Sequence, residues 1–286
     1  MKICRFNDNQ LGLVEGDQLR DVTEALDVLP ACRYPFPPHD LLISNLTQVM
    51  REINRLAPTA PVRELAEVRL LSPVANPGKI VAAPVNYKKH LEEARDQAEI
   101  HHNNHVAAIH EVGLFLKANS SLVGPSAGVE IKHPDRRNDH EAELVVVIGK
   151  AGRDIPRARA LEHVAGYAVG LDMTTRGPEE RSLRKSIDSY SVVGPWLVTA
   201  DEIPDPAGIA FRLTVNEELR QQANTSDLIL DVPALIEFAS RFYTLNPGDI
   251  LFTGTPEGVG PLVPGDRIIC SFAGIGEIAV QVRAAV

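Results

Sequence analysis

The sequence predicts a mostly β protein of the α+β class, and three observations lead to this fold class. Short runs rich in Val, Ile, Leu, Phe and Tyr follow one another from residue 80 onward, most of them bounded by Gly or Pro. Patterns with helical spacing are fewer and lie between those runs. The composition, 44% hydrophobic and 23% charged over 286 residues, is that of a globular chain long enough to bury a large core.

The first 70 residues predict a small N-terminal α+β domain. The segments "MKICRF" and "LGLVEG" have the character of two strands joined by a polar turn, and the apolar positions of "HDLLISNLTQVMREINRL" have helical spacing. The following "APTAPVRELAEVRLLSPVANPGK" contains four prolines and is typical of a connector. We therefore place a domain boundary near residue 70 and assign residues 71–286 to the main domain.

The main domain is predicted as strands interrupted by three helices. The strand candidates are, in order, "KIVAAPVN", "VGLFLKA", "AELVVVIGK", "AGYAVGLDM", "GPWLVTADEI", "IAFRLTVNEEL", "DILFTGTPEGVG", "DRIICSF" and "GEIAVQV". The helix candidates are "YKKHLEEARDQAEI", "PRARALEHV" and "VPALIEFASRFYTL". The last of these follows Asp231, a good N-cap residue, and has Pro233 in its first turn.

Charge and composition exclude several classes of function. The net charge of -9 argues against nucleic acid as the main partner, because phosphate binding depends on clustered Lys and Arg. No run of apolar residues approaches the roughly 18 to 20 that a membrane span requires. Polar residues interrupt the N-terminal segment where a signal peptide would be apolar, so we expect a cytoplasmic protein. Cys4, Cys32 and Cys270 are scattered and predict neither a disulfide framework nor a zinc site.

Acidic residues are concentrated at the leading edge of one predicted core strand. In "NDHEAELVVVIGK", Asp139, Glu141 and Glu143 occupy alternate positions and would share one face. Like charges so placed repel unless a cation compensates, and Mg²⁺ or Mn²⁺ prefers oxygen ligands. Asp172, at the end of the next long apolar strand, is the best third ligand, whereas we interpret Asp139 as a solvated loop residue. From the pattern alone, carboxylates paired with Arg or Lys at the solvent end of strands remain an alternative.

Basic and hydroxyl side chains also lie at predicted strand ends. Lys117, Arg176, Lys185 and Thr255 together suggest a site that holds an anion around a metal, with Arg giving two-point contact to a carboxylate. Each of them alone is more typical of a surface charge or a turn.

Two histidine patterns lie in the first predicted helix of the main domain and just after it. His90 and Glu93 in "NYKKHLEEA" are three residues apart, so on a helix they share a face and could form a proton relay, while Glu92 would face solvent. A solvated helix face is the alternative for this pair. His101 and His105 in "EIHHNNHVAAIHE" have the spacing of a transition-metal pair or belong to a solvated loop.

Five ordered motifs resemble the fumarylacetoacetate hydrolase family, in particular its short bacterial acylpyruvase and 2-hydroxyhepta-2,4-diene-1,7-dioate isomerase members. The resemblance extends from about residue 78 to the C-terminus, and the motifs read "DHEAELVVVIGK", "VAGYAVGLDMTTRG", "RKSIDSYSVVGPWLVTADEI", "VNEELRQQANTSDLI" and "LNPGDILFTGTPEGVG". The resemblance implies a C-terminal mixed β-roll domain of that family's type after a small N-terminal domain, and a homodimer. It also implies that Glu141, Glu143 and Asp172 bind Mg²⁺ or Mn²⁺, with Ca²⁺ as a further candidate.

The resemblance also implies roles for the remaining site residues. The implied catalytic residues are His90, Glu93 and Lys185, and the implied substrate-binding residues are Arg176, Lys117, Thr255 and Tyr87. Asn86, Tyr87, His90 and Glu93 match a lid segment of the family, which we place at about residues 86–112. Two departures stand out, because the family often has Asn where this chain has Leu171 and Asp where it has Gly177. Glu179 or Glu180 would then lie near the pocket or in solvent.

The function that the resemblance implies is a metal-dependent hydrolase that cleaves a C–C bond of a 2,4-diketo acid, of the acylpyruvate or fumarylpyruvate type met in aromatic catabolism, through a metal-bound enolate. Oxaloacetate decarboxylation and isomerisation of a 2-hydroxy-dienoate are alternatives at the same site. A protein that binds a small acid on a metal without turnover is the non-enzymatic alternative. The insertion from His101 to His110 and residues 171–182 are expected to decide between the substrates through the shape of the pocket.

Overall fold

The structure is a computed structural model that describes residues 1–96 and 109–285. In these ranges the strands are β1 Lys2–Phe6, β2 Gln10–Glu15, β3 Gln18–Asp21, β4 Val62–Glu64, β5 Leu70–Leu71, β6 Ile80–Ala82, β7 Phe115–Lys117, β8 Leu122–Val123, β9 Val129–Ile131, β10 Asn138–His140, β11 Ala142–Ile148, β12 Val164–Asp172, β13 Thr174–Thr175, β14 Ser191–Thr199, β15 Ala210–Val215, β16 Glu218–Asn224, β17 Ile250–Phe252, β18 Gly260–Pro261, β19 Arg267–Phe272 and β20 Gly276–Ala284. The α-helices are α1 Leu41–Ser44, α2 Leu46–Leu56, α3 Lys88–Asp96, α4 Ile109–Val112, α5 Arg181–Lys185 and α6 Val232–Phe242. Helices of the 3₁₀ type cover Thr23–Val28, Ala57–Thr59, Leu65–Glu67, Asn119–Ser121, Pro125–Ala127, Arg157–His163 and Thr225–Asp227.

The described strands form three sheets. The largest has twelve strands in the order β4-β3-β2-β1-β14-β12-β11-β17-β6-β7, with β5 added on β1 and β8 on β14. A five-stranded sheet has the order β16-β15-β19-β20-β9, and a small third sheet has the order β13-β10-β18. This architecture confirms the prediction of a mostly β protein of the α+β class.

Strand β11 lies at the centre of the molecule, between two apolar cores. Leu144 and Val146 pack into the core that includes the five-stranded sheet. Val145 and Val147 point the other way, into the core shared with the N-terminal strands and with α2. Successive side chains of a strand point to opposite faces, so a strand buried on both sides has no polar face. That is why all seven residues of β11 are buried.

The N-terminal strands continue the main sheet. β1 pairs antiparallel with β14, with Ile3 opposite Leu197, and β2 to β4 extend the sheet beyond β1. The large sheet therefore runs across the predicted boundary near residue 70, which stays a prediction.

Three helix predictions can be compared with the structure. Helix α6 is confirmed, and the Asp231 carboxylate caps it by accepting a hydrogen bond from the Ala234 amide at 2.9 Å. The segment from residue 157 to 163 is a 3₁₀ helix rather than an α-helix. The predicted N-terminal helix is divided into α1 and α2 at Asn45, whose side-chain amide donates to the Leu41 carbonyl at 2.8 Å. An Asn side chain that bonds to the local backbone competes with helix continuation.

Part of the predicted lid lies outside the described residues. Helix α3 covers the first part of the helix predicted after Asn86, and α4 covers the end of the predicted lid. His101 and His105 lie between them, in residues 97–108, outside the described ranges. Within those ranges, no helix combines the length and the apolar character needed to cross a bilayer.

Candidate active site

Three acidic side chains from two paired strands meet at one point of the large sheet. Glu141 precedes β11, Glu143 lies within it, and Asp172 ends β12, with Ala142 paired opposite Leu171. One carboxylate oxygen from each acid lies within 4.8 Å of the others, and all three side chains are buried. The expectation that these acids converge is therefore confirmed.

Glu141 is neutralised by two basic side chains. The Lys185 ammonium donates to its Oε2 at 2.6 Å, and Nη2 of Arg176 donates to its Oε1 at 2.9 Å. Burial alone would raise the pKa of this carboxyl, but Lys185 and Arg176 outweigh that effect and hold the pKa well below its usual range. Glu141 is thus an anion in the folded protein.

Glu143 has a different environment. Its Oε2 accepts a hydrogen bond from the Gly254 amide at 2.6 Å. Burial, reinforced by the carboxylate of Asp172, raises the pKa of Glu143. Gly254 has a φ of +95°, and a Cβ there would lie 2.6 Å from the Cβ of Asn86, so only glycine suits this turn.

Asp172 has a lysine on each carboxylate oxygen. Lys117 donates to Oδ1, and Lys185 donates to Oδ2 at 2.8 Å. Lys117 also donates to the Tyr190 carbonyl at 2.8 Å, and its side chain is fully buried. Burial lowers the pKa of Lys117, and Asp172 opposes that shift. The structure therefore places Lys117 and Lys185 directly against a predicted metal ligand.

The interpretation of Asp139 as a solvated loop residue is wrong. Its side chain is 0% exposed and accepts hydrogen bonds from Nε of Arg137 and Nε of Arg176, both at 2.8 Å. Arg176 thus bridges Asp139 and Glu141. The reason is that β10 leads straight into β11, so the alternation of side chains that buries Glu141 buries Asp139 as well.

The chemistry of this cluster fits a divalent ion. It offers three hard carboxylate oxygens in a buried setting, as Mg²⁺ and Mn²⁺ prefer. Like charges at this separation need compensation, which Lys117, Lys185 and Arg176 supply in part and a cation would complete. Lys185 contacts two of the three acids and so fixes their relative positions.

Helix α3 carries the predicted proton relay. Nδ1 of His90 lies 2.9 Å from Oε2 of Glu93, and Oε1 of Glu93 accepts from the Gly258 amide at 3.0 Å. The His90 ring is buried, and it lies close enough to Glu141 to act on the pKa of that carboxyl, after burial, Lys185 and Arg176. Glu92 is exposed, as predicted.

The start of the predicted lid segment is held by several hydrogen bonds. The Asn86 side chain donates to the carbonyls of Leu230 at 2.9 Å and Thr253 at 2.8 Å, and accepts from the Leu230 amide at 2.8 Å. The hydroxyl of the next residue, Tyr87, is buried and has no hydrogen-bond partner among the described residues. Thr255 accepts a hydrogen bond from the Gln221 side chain at 2.8 Å, next to the turn that binds Glu143.

Arg136 fills the space where the chain has Gly177 instead of an acid. A Cβ at position 177 would lie 1.7 Å from Nη2 of Arg136, which donates to the Arg176 carbonyl at 2.8 Å. Arg136 also pairs with Glu179 at 2.7 Å, whereas Glu180 is exposed. Where the family often has an Asp, at position 177, this chain has a glycine, and next to it Arg136 forms an ion pair with Glu179.

Sequence reasoning missed several residues that hold the ligands in place. Thr174 donates to Oε1 of Glu141 at 3.1 Å, and the Gly254 amide binds Glu143. The glycine-rich "TGTPEGVG" was a usable signal, because a tight turn beside a strand brings backbone amides close to a neighbouring acid. The role of Thr174 has no comparable signal in the sequence.

The chain matches known proteins over most or all of its length. A sequence model described as fumarylacetoacetate (FAA) hydrolase C-terminal matches residues 79–283. A maleylpyruvate hydrolase of Aquipseudomonas alcaligenes is 58% identical over 287 residues, covering 99% of each chain. A mitochondrial oxaloacetate tautomerase of Xenopus laevis is 37% identical over 75% of this chain and 68% of its own.

Solved structures agree with this assignment. Maleylpyruvate hydrolase from Sphingobium sp. SYK-6, in complex with manganese(II) and pyruvate, superimposes with a TM-score of 0.85 at 41% identity over the full length of both chains. A 2-hydroxyhepta-2,4-diene-1,7-dioate isomerase from Mycobacterium marinum gives a TM-score of 0.70 at 28% identity, covering 99% of this chain and 98% of its own. Together with the carboxylate cluster and the sheet arrangement, these matches lead to one conclusion: the chain belongs to the fumarylacetoacetate hydrolase family.

Proposed function

We propose that this protein is a divalent-metal-dependent hydrolase that cleaves the C–C bond of an acylpyruvate, with maleylpyruvate as the substrate that its relatives favour. The observation that carries the proposal is the convergence of three buried carboxylates, one of which, Glu141, lies close enough to His90 of the His90–Glu93 pair to feel its charge. The full-length identity of 58% to a maleylpyruvate hydrolase supports the substrate class.

The metal site would be formed by Glu141, Glu143 and Asp172. When bound, a divalent ion supplies Lewis-acid polarisation of the two oxygens at the 2-oxo acid end of the substrate. Lys185 holds Glu141 and Asp172 in their relative positions through its two hydrogen bonds. Asn86 and Gly254 secure the turn that orients Glu143.

His90 would act as the general base. Because Nδ1 faces the Glu93 carboxylate, the relevant tautomer has its proton on Nδ1 and leaves Nε2 free to take a proton from water. Glu93 in turn is oriented by the Gly258 amide. The water adds to the carbonyl of the acyl group, and the bond between that carbon and the pyruvate methylene breaks. The electron pair goes to the pyruvate half, which takes a proton and leaves as pyruvate, while the acyl half leaves as a carboxylic acid.

Helix α3 would exclude bulk water from this step. It is held over the site at two places, since Glu93 bonds to Gly258 and Ala94 packs against Val259. Closure of a helix over a reacting centre strengthens the electrostatic interactions within it.

The test is pyruvate release from maleylpyruvate, with and without EDTA, beside oxaloacetate as competitor substrate. We expect pyruvate and maleate in equal amounts, loss of activity with EDTA and its return with Mn²⁺ or Mg²⁺. A kcat/KM that favours oxaloacetate would contradict the hydrolase: decarboxylation would favour the decarboxylase alternative, and tautomerisation would favour the activity for which the Xenopus relative is named. Absence of turnover on every 2-oxo acid would favour a binding protein.

We also propose that the protein works as a cytoplasmic homodimer. The three cysteines are free, in keeping with a reducing compartment. Leu219, Phe242 and Val263 are large apolar side chains that are more than half exposed, which suits a subunit contact. Light scattering should then give twice the chain mass of 31.2 kDa, and a monomer at micromolar concentration would contradict the dimer.

A further inference from the structure

Helix α5 brings three basic side chains to one side of the acidic cluster, and two of them are already bound. Lys185 contacts Glu141 and Asp172. Arg184 donates to the carbonyls of Glu179 at 2.8 Å and Thr175 at 3.2 Å. These two residues therefore have their partners within the chain.

Arg181 differs from both. In the part of the chain that the structure describes, its guanidinium has neither a hydrogen bond nor an ion pair, and it lies over the ring of Phe115, whose centroid is 5.6 Å from its Cζ. The side chain is half-buried rather than projecting into solvent. A guanidinium on a ring face keeps its N–H edge free for planar contact with an anion.

Arg181 also lies near the carboxylate cluster. It is four residues before Lys185, so the two side chains leave the same face of α5. The Lys185 ammonium lies 5.6 Å from the same ring centroid of Phe115, so the two cations are separated by at most twice that distance. Burial lowers the pKa of Arg181, and the negative charge that opposes this shift most strongly is that of Glu141. A half-buried cation in this setting is incomplete without an anion.

The substrate class offers such an anion. An acylpyruvate whose acyl group ends in a second acid, as maleylpyruvate does, carries one carboxylate at the 2-oxo end and another at the far end of a seven-carbon chain. The 2-oxo end belongs at the carboxylate cluster, beside Lys185. The far carboxylate then needs a cation about one substrate length away, and Arg and carboxylate pair through two parallel hydrogen bonds.

We propose that Arg181 binds the second carboxylate of the substrate and so determines the preference of this site for dicarboxylic over neutral acylpyruvates. This inference rests on the proposed function, because it assumes that a 2-oxo acid occupies the carboxylate cluster. Arg181 is then a specificity residue for the known family reaction and takes no part in proton transfer.

The test compares two probes that cannot be hydrolysed, 2-oxoheptanedioate and 2-oxoheptanoate. Both have the same chain length and the same 2-oxo acid end, both lack the carbonyl that water attacks, and only the first has a second carboxylate. Their dissociation constants are measured by titration calorimetry with the Mn²⁺-loaded protein. A charge-assisted pair predicts that the wild type binds the dioate about 10- to 100-fold more tightly.

Arg181→Met should remove this preference, bringing the two dissociation constants to within about threefold of each other while the affinity for 2-oxoheptanoate stays within about twofold. Arg181→Lys, which keeps the charge but loses the planar contact, should give an intermediate ratio. Arg184→Met is the matched control on the same helix, and it should leave the ratio between the probes unchanged. Thermal unfolding of each variant checks that the fold is intact.

The possible results separate this inference from the function it depends on. An unchanged ratio in Arg181→Met, or an equal loss for both probes, would overturn the role of Arg181. A wild type that binds neither probe would overturn the 2-oxo acid site and this inference together. A wild type that distinguishes the probes through Arg181 but releases no pyruvate from any acylpyruvate would uphold the inference and overturn the hydrolase.

Discussion

Strand β11 and Glu141 just before it form one buried stretch, but burial has opposite energetic consequences in its two halves. From Val145 to Ile148 the side chains enter two apolar cores, where removal of their surface from water stabilises the fold. At the leading edge, Glu141 and Glu143 are just as enclosed, and burial of their charge is unfavourable unless each is paired. Burial of the apolar half thus stabilises the fold, and this stabilisation offsets the cost of burying Glu141 and Glu143 in the other half.

The charged half depends on a set of specific partners. Glu141 has Lys185 and Arg176, Asp172 has Lys117 and Lys185, and Glu143 has only a backbone amide among the described contacts. Substitutions in this half should therefore change function more than stability, and substitutions in the apolar half should do the opposite. The predictions below test that division, beginning with the largest effect.

Asp172→Asn should lower kcat/KM for the acylpyruvate by about three orders of magnitude or more, because it removes a charged metal ligand while keeping the shape of the side chain. Mn²⁺ titration should show a matching loss of affinity. Asp154→Asn, at a carboxylate whose side chain is 72% exposed, is the control and should behave as wild type. Normal Mn²⁺ affinity in Asp172→Asn would contradict the proposed ligand set.

His90→Asn should lower kcat by about 10²- to 10⁴-fold and leave Mn²⁺ affinity within about threefold, since the proposed role of His90 is to act on water and not to bind the metal. Steady-state kinetics and metal titration on the same preparation measure both values. Glu92→Gln, on the exposed side of the same helix, should change neither value. A parallel loss of metal binding in His90→Asn would assign this histidine to the metal site instead.

Ile148→Ala should reduce the free energy of unfolding by about 2–5 kcal/mol, because it leaves a cavity at a fully buried position. Ile148→Val removes a single methylene and should cost about 0.5–1.5 kcal/mol. Both variants should keep wild-type kcat/KM well below their melting temperatures. A large loss of activity in folded Ile148→Val would show that packing in the apolar half of the strand also controls the active site.

Glu143→Gln should slightly stabilise the metal-free protein, by about 1 kcal/mol or a rise of a few degrees in Tm, while it weakens Mn²⁺ binding. The glutamine oxygen can still accept from the Gly254 amide, and the repulsion from Asp172 and Glu141 is removed. Thermal unfolding in EDTA measures the first effect. A lower Tm in EDTA would contradict the view that this acid is retained at a cost in stability.

The sequence predicted most of the fold because local patterns agree with the final structure. The apolar run from Leu144 to Ile148 could only be a buried strand, and Asp231 with Pro233 marks the start of α6. The helix expected at residues 157–163 is 3₁₀, and the break at Asn45 was missed. The 3₁₀ helix and the break at Asn45 both depend on local hydrogen bonds that compete with those of an α-helix. The spacing of apolar residues does not show which set of hydrogen bonds is more stable.

The site was predicted in part. The convergence of Glu141, Glu143 and Asp172 could be predicted because alternate side chains of a strand share a face and because the two strands that carry these acids were expected to pair, as β11 and β12 do. The same alternation applies to Asp139, which was nevertheless assigned to solvent, because the extent of β10 and the position of Arg176 were unknown. Arg181 lay within residues 171–182, which were expected to shape the pocket. That it has no ion pair with any described residue depends on which neighbours Arg184 and Lys185 bind, and the sequence does not show this.

The turn at Gly254 has a consequence for how this protein can change over generations. Any side chain there would push against Asn86, and the amide of the same residue holds Glu143. Random mutagenesis should find no neutral replacement at this position, because each replacement would displace both Asn86 and Glu143. New substrate preferences would therefore arise by drift at residues such as Arg181, while this turn is inherited unaltered.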